Sequence, residues 1–472
     1  MKNYQSESLT FDPLHRYIPF LSDHGLAEGE VAEQHILDNP WLQRLRQIHQ
    51  LQTAWYVYPS AEHSRFEHIL GVMHLASRVT QALYPSLKEV CPDAPSRGYV
   101  ETLMRMAGLL HDVGHGPFGH FFDDQFLSSF GLTHETLGSL IIQQELGEML
   151  SRIRRNPYSQ MEEGERLDPE HICYLITRPN ATSEKSEEAQ QTPTWLRMLR
   201  SLFCGLYTVD NLDFVLRDSY MAGYSAEAYD LDRLLHYTFF TEAGLTIHER
   251  GLSALLRFIS VRAELFRTIY FHRTVRAIDL TLSELFQQSK DLLFPGNPAE
   301  HLDEYLLFTE WSLMVEVCRW STSDDPRKQK LGDAWRQLFW YRKTRWKMAC
   351  ERTLVFGQGD SERTSIFQKP QFIEGALRDF LPEELKDLPL KIDVARHVHR
   401  PWTQGPATGQ NFLYEQATGR VRPLTDSELF RRLPISYRIC RVYAPSHEHD
   451  QALAAALNQL VSPSGDDDLT NM

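Results

Sequence analysis

From about residue 33 to 290 the apolar residues recur mainly at intervals of three and four, as in Leu103, Met106, Ala107 and Leu110 and again in Leu255, Phe258, Ile259 and Phe266. That spacing lays one face of an α-helix against a core, so the region predicts a helical domain. The stretch RPNATSEKSEEAQQTPTW interrupts it with Pro, Ser, Thr and like charges, which predicts a mobile surface loop over about 178–194, inserted between helices. After LLFPGNP the helical pattern resumes to about residue 353 and then changes. LKIDVARHV, NFLYEQATGRVRPL and YRICRVYA alternate or run β-branched and aromatic between Gly and Pro turns, as a small antiparallel sheet does, with ATGR at a hairpin turn. The expected fold class is mainly α, a helical core with a C-terminal α+β lobe containing a small antiparallel sheet. The expected partition is an N-terminal segment over 1–32, the helical domain over 33–294, the α+β lobe over 295–461 and a solvated tail over 462–472.

At 472 residues the chain exceeds what one ordinary core holds, in keeping with a large domain and an appended one. Hydrophobic residues at 42% and charged residues at 24% exclude a disordered chain. A net charge of -14 argues against a surface that tracks a phosphate backbone, so nucleic acid is disfavoured as a partner. The six cysteines (Cys91, Cys173, Cys204, Cys318, Cys350, Cys440) form no CxxC pair, as in a cytosolic protein with reduced thiols. The N-terminus MKNYQSESLTFDP lacks an apolar signal region, and no stretch reaches the roughly 20 apolar residues that span a bilayer. No membrane partner is expected, and the expected location is cytoplasmic.

The stretch LLHDVGHGPFGHFFD, residues 109–123, departs from this pattern. His111, Asp112, His115, His120 and Asp123 lie among Leu109, Leu110, Phe118, Phe121 and Phe122, and burying ionisable groups costs free energy unless each finds a partner. One cation or one anionic substrate satisfies most of them together, where protein partners would have to be found five times over. Helical spacing turns His111 and His115 to one face, and Gly114, Gly116 and Pro117 loosen or end the helix so that His115 and His120 approach a common cavity. Upstream, the apolar face Ile69, Val72, Met73, Ala76 and Val79 carries His68 in its first turn, three residues after Arg65, which makes His68 a candidate for the same shell. Downstream, YTVDNLDFVLRDSYMAG supplies Asp213 and Arg217, four apart and read as an internal ion pair, which leaves Asp210 as a candidate ligand. His134 in LTHETLGS stands equally as a helix-start residue and as a substrate contact. Arg44 and Arg46 in LQRLRQIHQL read as an exposed basic helix face or a subunit contact.

The order H...HD...D formed by His68, His111, Asp112 and Asp210, in the contexts SRFEHxLGV, AGLLHDxGHGPFxHxFD, THE and VDxLDFxLRD, resembles the HD superfamily of metal-dependent phosphohydrolases. Within it the chain is similar to the deoxynucleoside triphosphate triphosphohydrolases of the SAM-and-HD type, without the SAM module. The likeness runs on through RTIYFHRTVRAID and LFRRLP...RICRVY and so covers nearly the whole chain. It implies a helical HD core and a nucleotide phosphohydrolase that converts dNTPs or related nucleotides to nucleoside and triphosphate by metal-activated water. It implies His68, His111, Asp112 and Asp210 as metal ligands, and His120 as general acid toward the leaving nucleoside oxygen, oriented by Asp123. It further implies His115, His134, Arg65 and Arg262 on the phosphates, and Gln50, Leu51, Asp218 and Tyr270 facing the sugar. A mixed nitrogen and oxygen shell suits Fe, Mn, Co, Ni or Zn, with Mg²⁺ riding on the substrate phosphates. A homo-oligomer, dimer or tetramer, is implied as well.

Two departures bear on substrate and regulation. Where the family reads D-(K/R)-x-D-Y this chain has Asp210-Asn211-Leu212-Asp213-Phe214, losing a basic side chain and a tyrosine hydroxyl. An uncompensated triphosphate charge costs about 1.5–3 kcal/mol of binding, so the substrate stays open between standard dNTPs and related nucleotides. Ahead of DPLH, nucleotide-activated relatives carry a basic residue and an Asn where this chain has Ser8 and Phe11, so the regulatory contacts are not matched. Two alternative functions remain. One is an HD-type phosphodiesterase or nuclease on single-stranded nucleic acid, using RKQKLGDAWRQLFWYRKTRWK, where Trp335, Phe339, Trp340, Tyr341 and Trp346 interleave with Lys and Arg; the plainer reading of that stretch is an amphipathic helix with a solvated charged face. The other is a catalytically silent, nucleotide-sensing scaffold.

Overall fold

The computed structural model describes residues 6–179, 191–356, 369–398 and 411–461. Residues 180–190 of the expected 178–194 loop and the 462–472 tail lie outside the described residues. The chain forms two compact units that interleave in sequence. The first takes residues 1–265, 289–316 and 401–430, and the second takes 266–288, 317–400 and 431–472, whereas the sequence pattern suggested contiguous boundaries at 32, 294 and 461.

The first unit is mainly helical. Its longest helix, Arg65–Val90, starts at Ser64, whose backbone N–H donates to Glu67 Oε2 at 2.6 Å in a capping box. The helix buries Ile69, Val72, Met73, Ala76 and Val79, the face the periodicity predicts. The helix Arg97–Leu110 packs along it. From that second helix the buried Arg105 reaches both Glu33 oxygens, at 2.5 and 2.7 Å, Ser77 Oγ at 3.0 Å and the Pro19 carbonyl at 3.0 Å. A guanidinium out of water is tolerable only when its donors are used, as they are here. Glu33 also accepts the Leu21 N–H at 3.0 Å, so the same carboxylate anchors an N-terminal hairpin, Glu7–Asp12 with Arg16–Leu21, that the hydrophobic pattern does not predict. At the hairpin turn Asp12 Oδ1 accepts the Leu14 and His15 N–H groups at 2.9 and 2.8 Å, a side-chain-closed turn.

The first unit also holds a mixed four-stranded sheet. The hairpin Thr238–Thr241 with Gly244–His248 sits inside the span expected to be helical, and Gly244–His248 pairs in parallel with Phe412–Glu415, which turns back antiparallel to Arg420–Pro423. The ATGR hairpin forms where expected, with Gly419 at φ 63°. The strands at 238–248 fall within a helical reading because apolar runs of four or five residues carry no decisive period.

The second unit holds a three-stranded antiparallel sheet in the order Lys347–Phe356, Ser436–Ala444, Lys391–Val398, with every residue of the central strand buried. Helices Pro370–Asp379 and Asp450–Val461 bring Ile373, Leu377, Leu453 and Leu457 into its core. The first strand corrects the expectation of helix to about 353: the helix Pro326–Phe339 ends earlier. Trp335 is fully buried and Phe339 and Trp346 nearly so, while Trp340 and Tyr341 are exposed. Three of the five rings in the basic stretch therefore belong to the core. Among the described residues, no helix is long and apolar enough to cross a membrane.

Candidate metal centre

The helix that carries the HD dipeptide stops at Leu110, with His111 at its C-cap and residues 111–119 running as turns. His111 and His115 therefore do not share a helical face, as their spacing had suggested. Instead Asp112 Oδ1 lies 3.4 Å from the Nε2 of each. Two features hold the turn in place. Arg44, read from the sequence as exposed, is buried, and its guanidinium donates to the carbonyls of His115 at 2.8 Å, Phe308 at 2.9 Å, Tyr305 at 3.2 Å and Val113 at 3.4 Å. Arg46 stays on the surface, donating to Gln43 Oε1 at 2.8 Å.

The second feature is Gly114, which serves close approach and not an unusual backbone angle. A Cβ there would fall 2.1 Å from the His134 carbonyl oxygen and 2.5 Å from the Gly138 nitrogen. Gly114→Ala is expected to destabilise the protein by about 1–3 kcal/mol through overpacking, read as a lower urea midpoint. The left-handed positions are the following Phe118 and Gly119, at φ 62° and 56°.

Three helices bring the expected ligands together. His68 lies in the first turn of Arg65–Val90, His111 and Asp112 follow Leu110, and Asp210 opens the helix Val209–Met221, whose N-cap Thr208 accepts the Asn211 N–H at 3.1 Å. One ligand atom each from His68, His111 and Asp112 lies within 4.8 Å of the others. Asp210 Oδ1 lies 3.2 Å from His68 Nε2 and 3.8 Å from His111 Nε2.

Each imidazole is oriented by its far nitrogen, as histidine ligands commonly are. His68 Nδ1 bonds Asp213 Oδ2 at 2.8 Å and His111 Nδ1–H donates to the Gly108 carbonyl at 2.8 Å, which leaves both Nε2 atoms buried and without a hydrogen-bond partner. Two orphaned imidazole nitrogens beside two carboxylates form a donor set that fits a divalent cation.

The electrostatics agree. Burial alone would lower the His68 pKa, but Asp210 and Asp213 outweigh it and push it up to about 10. Burial would raise Asp112, but His111, Arg65 and His115 hold it well below the carboxylate range. The centre thus attracts positive charge, which a proton on His68 or a metal ion supplies.

The Asp213–Arg217 pair forms as the i, i+4 spacing predicts, at 2.8 Å. It also does more: Asp213 Oδ1 meets His15 Nε2 at 2.6 Å, and Arg217 reaches Asp12 Oδ2 at 2.8 Å. Sequence reading missed His15, which the DPLH turn delivers 198 residues along the chain. Arg65, expected on phosphate, bonds Asp112 Oδ2 at 2.5 Å.

A second group gathers around Asp123. His134 Nδ1 lies 2.5 Å and His120 Nδ1 3.3 Å from its Oδ2, and His115 Nδ1 lies 3.7 Å from its Oδ1. The His115 and His134 rings stack at 3.8 Å. His134 opens a helix, one of the two readings the sequence allowed: Thr133 caps that helix, accepting the Thr136 N–H at 3.2 Å, and the His134 ring enters the cluster around Asp123. Burial would raise Asp123, but His115, His120 and His134 hold it far below its ordinary value.

Of the residues expected at the sugar, Asp218 Oδ1 bonds His63 Nε2 at 2.8 Å, and the His63 carbonyl accepts the Gln50 N–H at 3.0 Å. His63 is a further residue that sequence reading missed, although it stands in the same EHSRFEH run. Leu51 is buried. Arg262 is buried, donates to the Leu206 carbonyl at 2.9 Å and is lowered to about 10 by burial, with Asp210 opposing. Tyr270 belongs to the second unit, in the π-helical turn Phe266–Tyr270.

The HD domain family profile matches residues 65–190. An uncharacterized protein of Bacillus subtilis, YwfO, is 27% identical over 71% of this chain and 72% of its own length. The deoxynucleoside triphosphate triphosphohydrolase SAMHD1 of Gallus gallus is 31% identical over 92% of this chain and 73% of its own. A crystal structure of a hypothetical protein from Aquifex aeolicus superimposes with a TM-score of 0.66, at 21% identity, covering 96% of this chain and 100% of that one. With such a profile match, a relative alike along most of both chains and a ligand set that fits a divalent cation, the chain belongs to the HD superfamily as a dNTPase-like, metal-dependent phosphohydrolase.

Proposed function

We propose that the protein hydrolyses dNTPs or closely related nucleotides to nucleoside and triphosphate. The observation that carries this reading is the position of Asp112, whose Oδ1 lies 3.4 Å from His111 Nε2, in the cation-attracting group, and 3.4 Å from His115 Nε2, in the histidine group around Asp123. A group that activates water and a group that handles protons are then adjacent, as phosphorus hydrolysis requires.

His68, His111, Asp112 and Asp210 would hold the metal, which when bound lowers the pKa of water and offsets phosphate charge. His120, with a side chain 65% exposed and its Nδ1 directed at Asp123, gives a proton to the leaving nucleoside oxygen. Asp123, kept ionised by its three histidines, stabilises the imidazolium and fixes its orientation. Arg262 faces the phosphates and makes up part of the charge lost at Asn211, and Arg65 acts through its grip on Asp112. His115 and His134 hydrogen-bond the phosphates, while Gln50, Leu51 and Asp218 face the sugar. The six cysteines, all free, suit a reducing cytoplasm, and a homo-oligomer is part of this reading.

Purified protein given dNTPs and NTPs with Mn²⁺ or Co²⁺ is expected to release nucleoside and triphosphate. One equivalent of metal bound, with no nucleoside from any nucleotide, overturns the reading.

A further inference from the structure

We propose that His115, His120, Asp123 and His134 form a second cation site, suited to a borderline ion of the Zn²⁺ class, whose filling removes the proton-handling groups and so inhibits hydrolysis. The inhibitory half rests on the function proposed above; the binding half stands by itself.

Three imidazoles from separate pieces of chain aim the same ring atom, Nδ1, at one carboxylate. They come from the 111–119 turns, the helix His120–Gln125 and the helix His134–Ile141. All four residues offer a ligand atom within 4.8 Å of the others. Metal–ligand bonds of about 2.0–2.1 Å in a tetrahedron set ligand atoms about 3.3 Å apart. His120 Nδ1 already stands 3.3 Å and His115 Nδ1 3.7 Å from Asp123 oxygens. Only the His134–Asp123 contact, a hydrogen bond at 2.5 Å, must open to admit an ion.

An independent observation points to a ligand. His115 is fully buried, and neither of its ring nitrogens has a hydrogen-bond partner; the buried Asp123 Oδ1 also has none. Buried polar atoms left in this way are costly unless something outside the protein pairs with them. A cation does so at His115 Nδ1 and Asp123 Oδ1 at once. Three imidazoles and one carboxylate form a nitrogen-rich set that favours Zn²⁺ and disfavours Mg²⁺, which prefers oxygen and octahedral geometry. The exposed His120 ring gives the ion a way in. Apart from Asp112, which neighbours both groups, the two ligand sets are separate, so both ions can be held together. With His120 and Asp123 bound to zinc, no proton remains for the leaving oxygen.

The test is zinc stoichiometry on metal-free full-length protein, by elemental analysis after equilibrium with a chromogenic chelator. Wild type is expected to hold two equivalents, Asp210→Ala one, and His120→Ala/His134→Ala one. Co²⁺ substituted into wild type, which needs no variant to fold, is expected to show tetrahedral d–d bands for the second equivalent. Hydrolysis followed against equivalents bound is expected to fall at least tenfold with the second and to recover on mild chelation. A single equivalent in wild type, or two retained in the double variant, overturns the site. Unchanged hydrolysis with both equivalents bound overturns the inhibition. If two equivalents bind and the double variant holds one, but no nucleotide is ever hydrolysed, the second site stands and the proposed function fails.

Discussion

Asp210→Ala is expected to lose the metal held with His68, His111 and Asp112 and to hydrolyse nucleotide at least about 10³-fold more slowly, some 4 kcal/mol of barrier. Asp210 Oδ1 stands beside both orphaned imidazole nitrogens, 3.2 Å from His68 Nε2 and 3.8 Å from His111 Nε2. Without it the remaining donors are two imidazoles and Asp112, one of whose oxygens already accepts from Arg65. The loss is expected to be functional and not structural. The Asp210 side chain is one-third exposed, and an acidic residue in the first turn of a helix contributes only about 0.3–1 kcal/mol through the dipole. Metal content, kcat and thermal unfolding on one preparation check this. A variant that keeps both metal and turnover removes Asp210 from the ligand set.

The sequence carried the parts of this site that a short window holds and missed those that distance makes. The HD turn, His68 in a first turn and the Asp213–Arg217 pair are visible because helix periodicity and i, i+4 spacing are local. His15 and His63 are not, because each is a lone histidine until a carboxylate 198 or 155 residues away reaches it. Arg44 was misread for a related reason. Arginine is exposed by default, and its burial here depends on four carbonyls from the HD turn and from residues 305–308, which no local rule brings together. Gly114 shows the converse: it stands in plain view in the sequence, but its cause is the backbone crossing near His134, a tertiary contact. The strands at 238–248 and 347–356 were lost in the same way, since pairing partners such as 412–415 and 436–444 lie far along the chain.

Arg217→Met is expected to cost about 3–5 kcal/mol of folding free energy, the range for removing one partner of a buried ion pair. Methionine keeps much of the volume, so the loss reports charge. Asp213 is fully buried and Asp12 nearly so, and Arg217 serves both, at 2.8–3.0 Å from Asp213 and 2.8 Å from Asp12. The same change predicts a shift in acid stability. Burial would raise the Asp213 pKa, yet Arg217 first, then His15 and His68, hold it well below the ordinary value. A carboxyl whose folded pKa is depressed contributes stability that is complete above its unfolded pKa of about 3.9 and is lost as pH falls through that value toward the folded one. Without Arg217 the folded pKa rises, the contribution shrinks, and the acid-unfolding midpoint moves to higher pH. Because Asp213 also orients His68 through Nδ1, the surviving folded protein is expected to bind metal about 10–100-fold more weakly. Urea midpoints at neutral pH, acid titration followed by circular dichroism and a metal titration measure the three effects. Equal urea midpoints for variant and wild type would mean that Asp12 and Asp213 are balanced by something other than Arg217.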